Sequence, residues 1–179
     1  MAHYVALLRA INVGGKRKVP MAELRSLCED LGYDDVRTYV NSGNVVFTTT
    51  GTAARVETSI ERAIAKEFGF HVDVSVRAAA PWSKLVQATP FAKAAKSTPN
   101  FVQLFVSKGK VPTKAAAAIQ ERAKAGEQVK VAGGALWIHY PKGIGTSKLT
   151  ATIIDDAVGH ASTGRNFRTV LELEKMLKD

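Results

Sequence analysis

Val36-Arg-Thr-Tyr-Val40, Asn41-Ser-Gly43 and Asn44-Val-Val-Phe47 read as strand, tight turn and strand. β-branched and aromatic residues flank a turn in which Gly43 can supply a positive φ, the pattern of a β-hairpin. Upstream, Pro20 opens a helix in which Leu24, Leu27, Cys28 and Leu31 share one face and Gly32 closes the end. Before that helix, His3 to Ile11 is a strand whose two alternating sets, Tyr4/Ala6/Leu8 and Val5/Leu7, are both apolar. Such a strand is covered on both faces. Downstream, Val56, Ile60, Ile64 and Phe68 repeat every fourth residue in a helix from Ala53 to Phe68, closed by Gly69. Val72 to Arg77 is a further strand. The order β-α-β-β-α-β is that of a ferredoxin-like unit.

The second half begins the same way. Pro81, Pro90 and Pro99 interrupt Ala78–Asn100, where Trp82, Leu85 and Val86 suit only a short helix. The domain boundary is placed there, giving units 1–90 and 91–179. Phe101 to Val106 is a strand, and Thr113 caps an alanine-rich helix ending at Gly126. Gln128–Ala132 and Ala135–Tyr140 flank Gly133-Gly134 as a hairpin, Ser147–Val158 is a helix, and a last helix runs to near Leu177. The fold expected is α+β: two ferredoxin-like (βαββαβ-type) halves packed together, with a C-terminal helix.

With 179 residues the chain can bury a substantial core. No apolar run is long enough to cross a bilayer, and the N-terminus lacks the pattern of a signal peptide. Cys28 is the only cysteine, so no intrachain disulfide forms. The expected location is cytoplasmic, with no membrane partner. The net charge of +9 is uneven: residues 1–90 carry +2 and residues 91–179 carry +7. A basic half favours anionic partners, either nucleic acid or small phosphorylated molecules, although basic charge also serves solubility.

Cations gather where helices are expected to begin. Lys16, Arg17 and Lys18 precede the first helix, Lys114 follows Thr113, and Lys142 and Lys148 flank Gly143-Ile-Gly-Thr-Ser147. Ala161-Ser-Thr-Gly-Arg-Asn-Phe-Arg-Thr-Val170 brings Arg165 and Arg168 to or near the start of the last helix. A cation there opposes the helix dipole by up to about 1 kcal/mol. The pattern therefore calls for an anion: a carboxylate of the chain, with Asp155 and Asp156 as candidates, or a ligand. Lys142–Lys148 and Asn12-Val-Gly-Gly-Lys16 resemble anion cradles, but neither has Walker A or dinucleotide-binding spacing. Turn chemistry with solvated lysines is the favoured explanation of both loops over a phosphate site. His3, His71, His139 and His160 are scattered and no metal-ligand spacing occurs, so no metal is expected. Ser42, Ser147 and Ser162 sit in turns without a nucleophile elbow. Cys28 reads as a core thiol.

The same element order serves RNA recognition motifs, which stack bases on aromatics of the two central strands. Tyr4 and Phe47 are the aromatics available there, but the run of exposed aromatics is missing. Nucleic acid would then have to use a basic edge.

Tyr4–Gly15, Val19–Arg25, Val36–Tyr39 with Ser42–Phe47, Lys142–Leu149 and Gly164–Val170 together resemble a bacterial family known as domain of unknown function 1697. The resemblance implies a two-part α+β fold and no established activity, cofactor or catalytic residue. Ala10 and Phe167 depart from it, where the family often has glycine and tryptophan. The segments coincide largely with the polar loops singled out above. The candidate ligand-binding set is accordingly Arg9, Asn12, Gly14, Gly15, Lys16, Ser42, Asn44, Lys148, Arg165, Asn166 and Arg168, lining one cleft between the two halves. Its expected ligand is a phosphorylated or carboxylated small molecule. The alternatives are a nucleic-acid-binding module using the basic second half, and an interaction protein with an acidic partner.

Overall fold

The computed structural model describes all residues, Met1–Asp179. The chain falls into two compact units, one of Met1–Trp82 with Leu173–Asp179 and one of Ser83–Glu172. The first runs β1 (Ala2–Leu8), α1 (Met21–Asp30), β2 (Asp34–Tyr39), β3 (Asn44–Thr49), α2 (Ala53–Phe68) and β4 (Val74–Ala78). Its sheet has the order β2-β3-β1-β4, antiparallel throughout. This is the split βαβ arrangement in which β3 lies between β1 and β2.

Alternation decides the packing. Tyr4, Ala6 and Leu8 of β1 join Val45 and Phe47 of β3 and Val74 and Val76 of β4 in one core with Leu24, Cys28, Val56, Ile60 and Ile64 of the helices. Tyr33 stacks on Phe47 at 4.7 Å, and Phe47 on Tyr4 at 6.1 Å. The alternate set, Val5, Leu7 and Val46, is equally buried. Both faces of β1 are therefore dry, as its two apolar sets require. The aromatics Tyr4 and Phe47 lie on the helix side of the sheet, so they are core residues and not a stacking platform.

After α3 (Ala79–Gln87) and α4 (Ala92–Ser97), the second unit repeats the plan with β5 (Val102–Ser107), α5 (Ala115–Gln120), β6 (Gln128–Ala132), β7 (Ala135–His139), α6 (Ala151–Val158) and β8 (Ser162–Asn166). Its order is β6-β7-β5-β8, again antiparallel. The last helix, α7, spans Phe167–Met176. Phe105, Leu136, Ile138, Ile119, Ile154 and Val158 form the helix-side core.

Three expected elements differ. The stretch before the last helix is a strand: Leu104 pairs with Arg165 and Val106 with Thr163. The second unit is thus a full βαββαβ unit and not one strand short. The alanine-rich helix stops at Gln120 because the Gln120 side chain donates to the Glu127 carbonyl (2.8 Å) and accepts from the Val129 amide (2.8 Å). The Glu127 carboxylate then takes the Ala125 amide at 2.7 Å, turning the chain into β6. The helix expected from Ser147 begins only at Ala151, where Thr150 accepts from the Ile153 amide.

Candidate functional site

Seven of the sequence-chosen residues come together at one edge of the first sheet. The loop after β1, the β2–β3 turn and the loop before β4 all end there. Asn12 joins the first two: its Nδ2 donates to Val19 (3.0 Å) and Asn41 (2.8 Å) carbonyls, and its Oδ1 accepts from the Val19 amide (2.8 Å). Arg9 is tied to the third loop through its amide to the Asp73 carbonyl (3.0 Å) and its guanidinium 3.7 Å from the Asp73 carboxylate. Arg17 donates to the His71 carbonyl and lies 5.5 Å over the Phe70 ring. Asp73 and His71 stand far along the chain from the cations they hold, so no local spacing links them.

Gly14 and Gly15 form the tip of a tight turn, closed by the Lys16 amide on the Val13 carbonyl at 3.1 Å. With φ of 59° and 72° they have the two positive values that such a two-residue turn needs. Asn44 is fully buried and donates to the Tyr39 carbonyl (2.9 Å) and Ser42 Oγ (3.0 Å). The side-chain amides of Asn12 and Asn44, both expected to line the site, are engaged in holding the loops. Lys16 and Lys18 remain exposed on this edge.

The backbone here is unusual. Ala10, Asn12, Arg17 and Val40 all have φ between 49° and 55°. Each costs an L-residue about 1–2 kcal/mol, and a β-branched residue such as Val40 is the least suited to it. Only Asp35, among non-glycine residues, shares this conformation elsewhere.

In the second unit the geometry changes the reading of the arginines. Arg165 is on β8, 7% exposed, and its Nη1 donates to Thr163 Oγ1 (2.8 Å) and the Gly164 carbonyl (2.9 Å). Burial pushes its guanidinium down to about 10. It directly precedes the cap of α7 but lies in the strand. The cap itself is Asn166, whose Oδ1 accepts from the Thr169 amide at 2.9 Å. Arg168 is exposed on the first turn of α7. Asp155 accepts from Ser162 N and Oγ, both at 2.9 Å, and so anchors the start of β8.

The glycine-rich loop ending in Lys148 folds as a short 3-10 turn at Ile144–Thr146, with the Ser147 amide bonded to the Ile144 carbonyl at 3.1 Å. Ser147 Oγ donates to the buried Glu127 carboxylate at 2.5 Å. Burial alone would raise the Glu127 carboxyl, but hydrogen bonds from Ser147 and from the chain's own amides outweigh it and hold it below the usual range. This loop is an internally bonded turn, with Lys142 and Lys148 exposed on it. Cys28 is a core thiol, pushed up to about 12 by burial first and by Glu29 second. No group of three or more His, Cys, Asp and Glu side chains is placed to hold a metal ion. No helix is long and apolar enough to cross a membrane.

Comparison with known proteins adds the following. No curated protein matches the sequence. A solved structure, the conserved bacterial protein SP0830 from Streptococcus pneumoniae, is similar at a TM-score of 0.72 with 23% identity, covering 98% of both chains. At that identity the likeness concerns the fold alone. A family model described as a protein of unknown function, DUF1697, matches residues 1–137, which include the whole strained edge of the first unit. The chain belongs to the DUF1697 family.

Proposed function

We propose that the chain binds a small phosphorylated or carboxylated molecule, and that the loop edge of the first unit receives it. One observation carries this reading: four non-glycine residues in left-handed backbone, Ala10, Asn12, Arg17 and Val40, are concentrated in the loops that meet at this edge. Strain of that kind persists where surrounding structure over-determines it, and it clusters at binding sites. Asn12 and the Arg9–Asp73 pair supply that over-determination. The result is a fixed cationic corner presenting Lys16 and Lys18. A pre-set corner loses little ordering entropy when it captures an anion.

Thermal stabilisation by inorganic phosphate and pyrophosphate tests the reading. A saturable site adds about 2.7 kcal/mol at a hundredfold excess over Kd. Lys16→Gln with Lys18→Gln should remove most of that gain while leaving the unliganded melting temperature unchanged. Fluorescence anisotropy of labelled single-stranded RNA and DNA, at about 50 and about 200 mM salt, addresses the rival. Tight binding that falls by orders of magnitude between them would favour nucleic acid over a small anion.

A further inference from the structure

Outside that edge, the second unit holds a cavity of about 450 Å³ between α4 and the β6–β7 edge of the sheet. Its size is within the range of small-molecule sites. In the sheet, Gln128 is paired with His139 and Lys130 with Trp137, so all four lie on the face away from α5 and α6. Phe91 sits against this face, 5.8 Å from the His139 ring. Lys130 Nζ stands 5.4 Å above Phe91, a cation–π contact that fixes where its charge is presented. Lys93 of α4 also lines the cavity. None of the side chains lining the cavity is acidic.

Two lysines lining one concavity without a carboxylate give it a positive potential that favours an anion. The neutral polar groups add a second requirement. Ser97 Oγ donates to the Lys93 carbonyl (3.0 Å) and Thr98 Oγ1 to the Ala94 carbonyl (3.3 Å). With their protons committed, these hydroxyls can only accept from a ligand. His139 Nδ1 is 3.3 Å from Gln128 Oε1. Donation to that oxygen places the proton on Nδ1 and leaves Nε2 as an acceptor. Burial lowers the His139 pKa, which favours this neutral form. The cavity thus offers cations for one end of a ligand and acceptors for hydroxyl groups on the rest.

We propose that this cavity binds a small phosphorylated polyol: Lys93 and Lys130 hold the phosphate, and Ser97, Thr98 and His139 accept from its hydroxyls. This site is independent of the loop edge of the first unit.

The full chain is titrated calorimetrically with glycerol 3-phosphate, ribose 5-phosphate, glucose 6-phosphate, inorganic phosphate and glucose. The proposal expects saturable binding of at least one of the three phosphorylated polyols, at least tenfold tighter than inorganic phosphate. It expects none for glucose. Lys93→Gln and Lys130→Gln should each weaken it at least tenfold, Lys93→Gln with an unchanged melting temperature because its side chain is exposed, and Lys130→Gln with no more than the small loss that an exposed cation–π contact accounts for. His139→Phe should weaken the phosphorylated polyol but not inorganic phosphate. Lys16→Gln with Lys18→Gln should have no effect. Equal affinity for inorganic phosphate and every polyol phosphate overturns the polyol assignment. Binding that survives Lys93→Gln and Lys130→Gln but disappears in the Lys16/Lys18 variant overturns the location. Failure of all five probes to bind overturns the site.

Discussion

Gly43→Ala separates backbone strain from steric overlap at the corner where the first unit's loops meet. At φ of 82°, alanine incurs about 1–2 kcal/mol of left-handed strain. Its Cβ would also lie 2.7 Å from both Ile11 Cδ1 and Leu8 Cβ. Ile11 Cδ1 is the free end of a side chain and can rotate away. Leu8 Cβ cannot, because β1 fixes its backbone and the Leu8 amide donates to the Gly43 carbonyl at 2.8 Å. Relief therefore requires moving the β2–β3 turn and weakening that bond. Overpacking of this kind costs about 1–3 kcal/mol, so the total is about 2–5 kcal/mol. For a chain of this length about 2–4 °C of melting temperature accompanies each kcal/mol, a loss of about 4–20 °C.

The control is Gly14→Ala, at φ of 59° with no atom within 4 Å of the added Cβ. It carries strain without overlap and should cost only about 1–2 kcal/mol. Both are measured by urea denaturation followed through far-ultraviolet circular dichroism. Equal losses for the two variants would refute the reasoning, because they would mean that the Leu8 contact adds nothing.

Other outcomes follow from individual groups. Arg165→Ala should cost about 2–3 kcal/mol, the worth of charge-assisted bonds in a buried site, whereas Arg168→Ala should stay within about 0.5 kcal/mol; denaturant midpoints compare them. Cys28, with its thiol at about 12, should resist alkylation at about pH 8 in the native chain and react on unfolding, as mass spectrometry would show. Glu127 has a folded pKa below its ordinary 4.5. Its contribution is complete above the unfolded value and is lost as pH falls through the lower folded one. Amide exchange at Ala125 and Leu149 should therefore accelerate in that acid window, and Glu127→Gln should remove the step.

Legibility tracked how local each cause was. α2 matches its expected bounds because its core stripe, the Thr52 cap and Gly69 are written side by side. β8 carries no strand signal of its own, because Ser162-Thr-Gly-Arg-Asn166 has no apolar alternation. It is a strand through pairing with β5, which lies about sixty residues earlier. Alanine and lysine propensity carries the expected α5 onward to Gly126, while the Gln120 and Glu127 bonds that stop it depend on the hairpin. Among the candidate residues, those of the loop edge stand out in the sequence through their glycines and cations. The assignment of Asn12 and Asn44 to the scaffold required seeing the carbonyls they reach. The second unit's cavity takes Phe91, Lys130 and His139 from three separate segments, and no spacing along the chain announces them.

The two units answer the same topological problem differently. Each has a loop leaving its first strand, a hairpin turn and a loop entering its last strand at one edge. In the second unit the turn is Gly133-Gly134, whose carbonyl at Gly134 accepts from the Val111 amide at 3.3 Å. His160 packs directly on Gly109, where a Cβ would lie 2.1 Å from its Nε2. None of its non-glycine residues has positive φ. In the first unit the corresponding loop is longer, carries Arg9 and three consecutive cations, and includes three of the four strained residues at this edge. A ferredoxin-like scaffold therefore does not itself require the strain. What the first unit adds beyond the scaffold is a cationic loop held in an unfavourable backbone, and relaxing it supplies a direct test. Ala10→Gly should relieve about 1 kcal/mol of strain, offset in part by the entropy of a freer unfolded chain. Lower affinity for pyrophosphate in a variant of unchanged or greater stability would tie the strain to binding. Unchanged affinity would make Ala10 a tolerated local cost and remove it from the argument for the site.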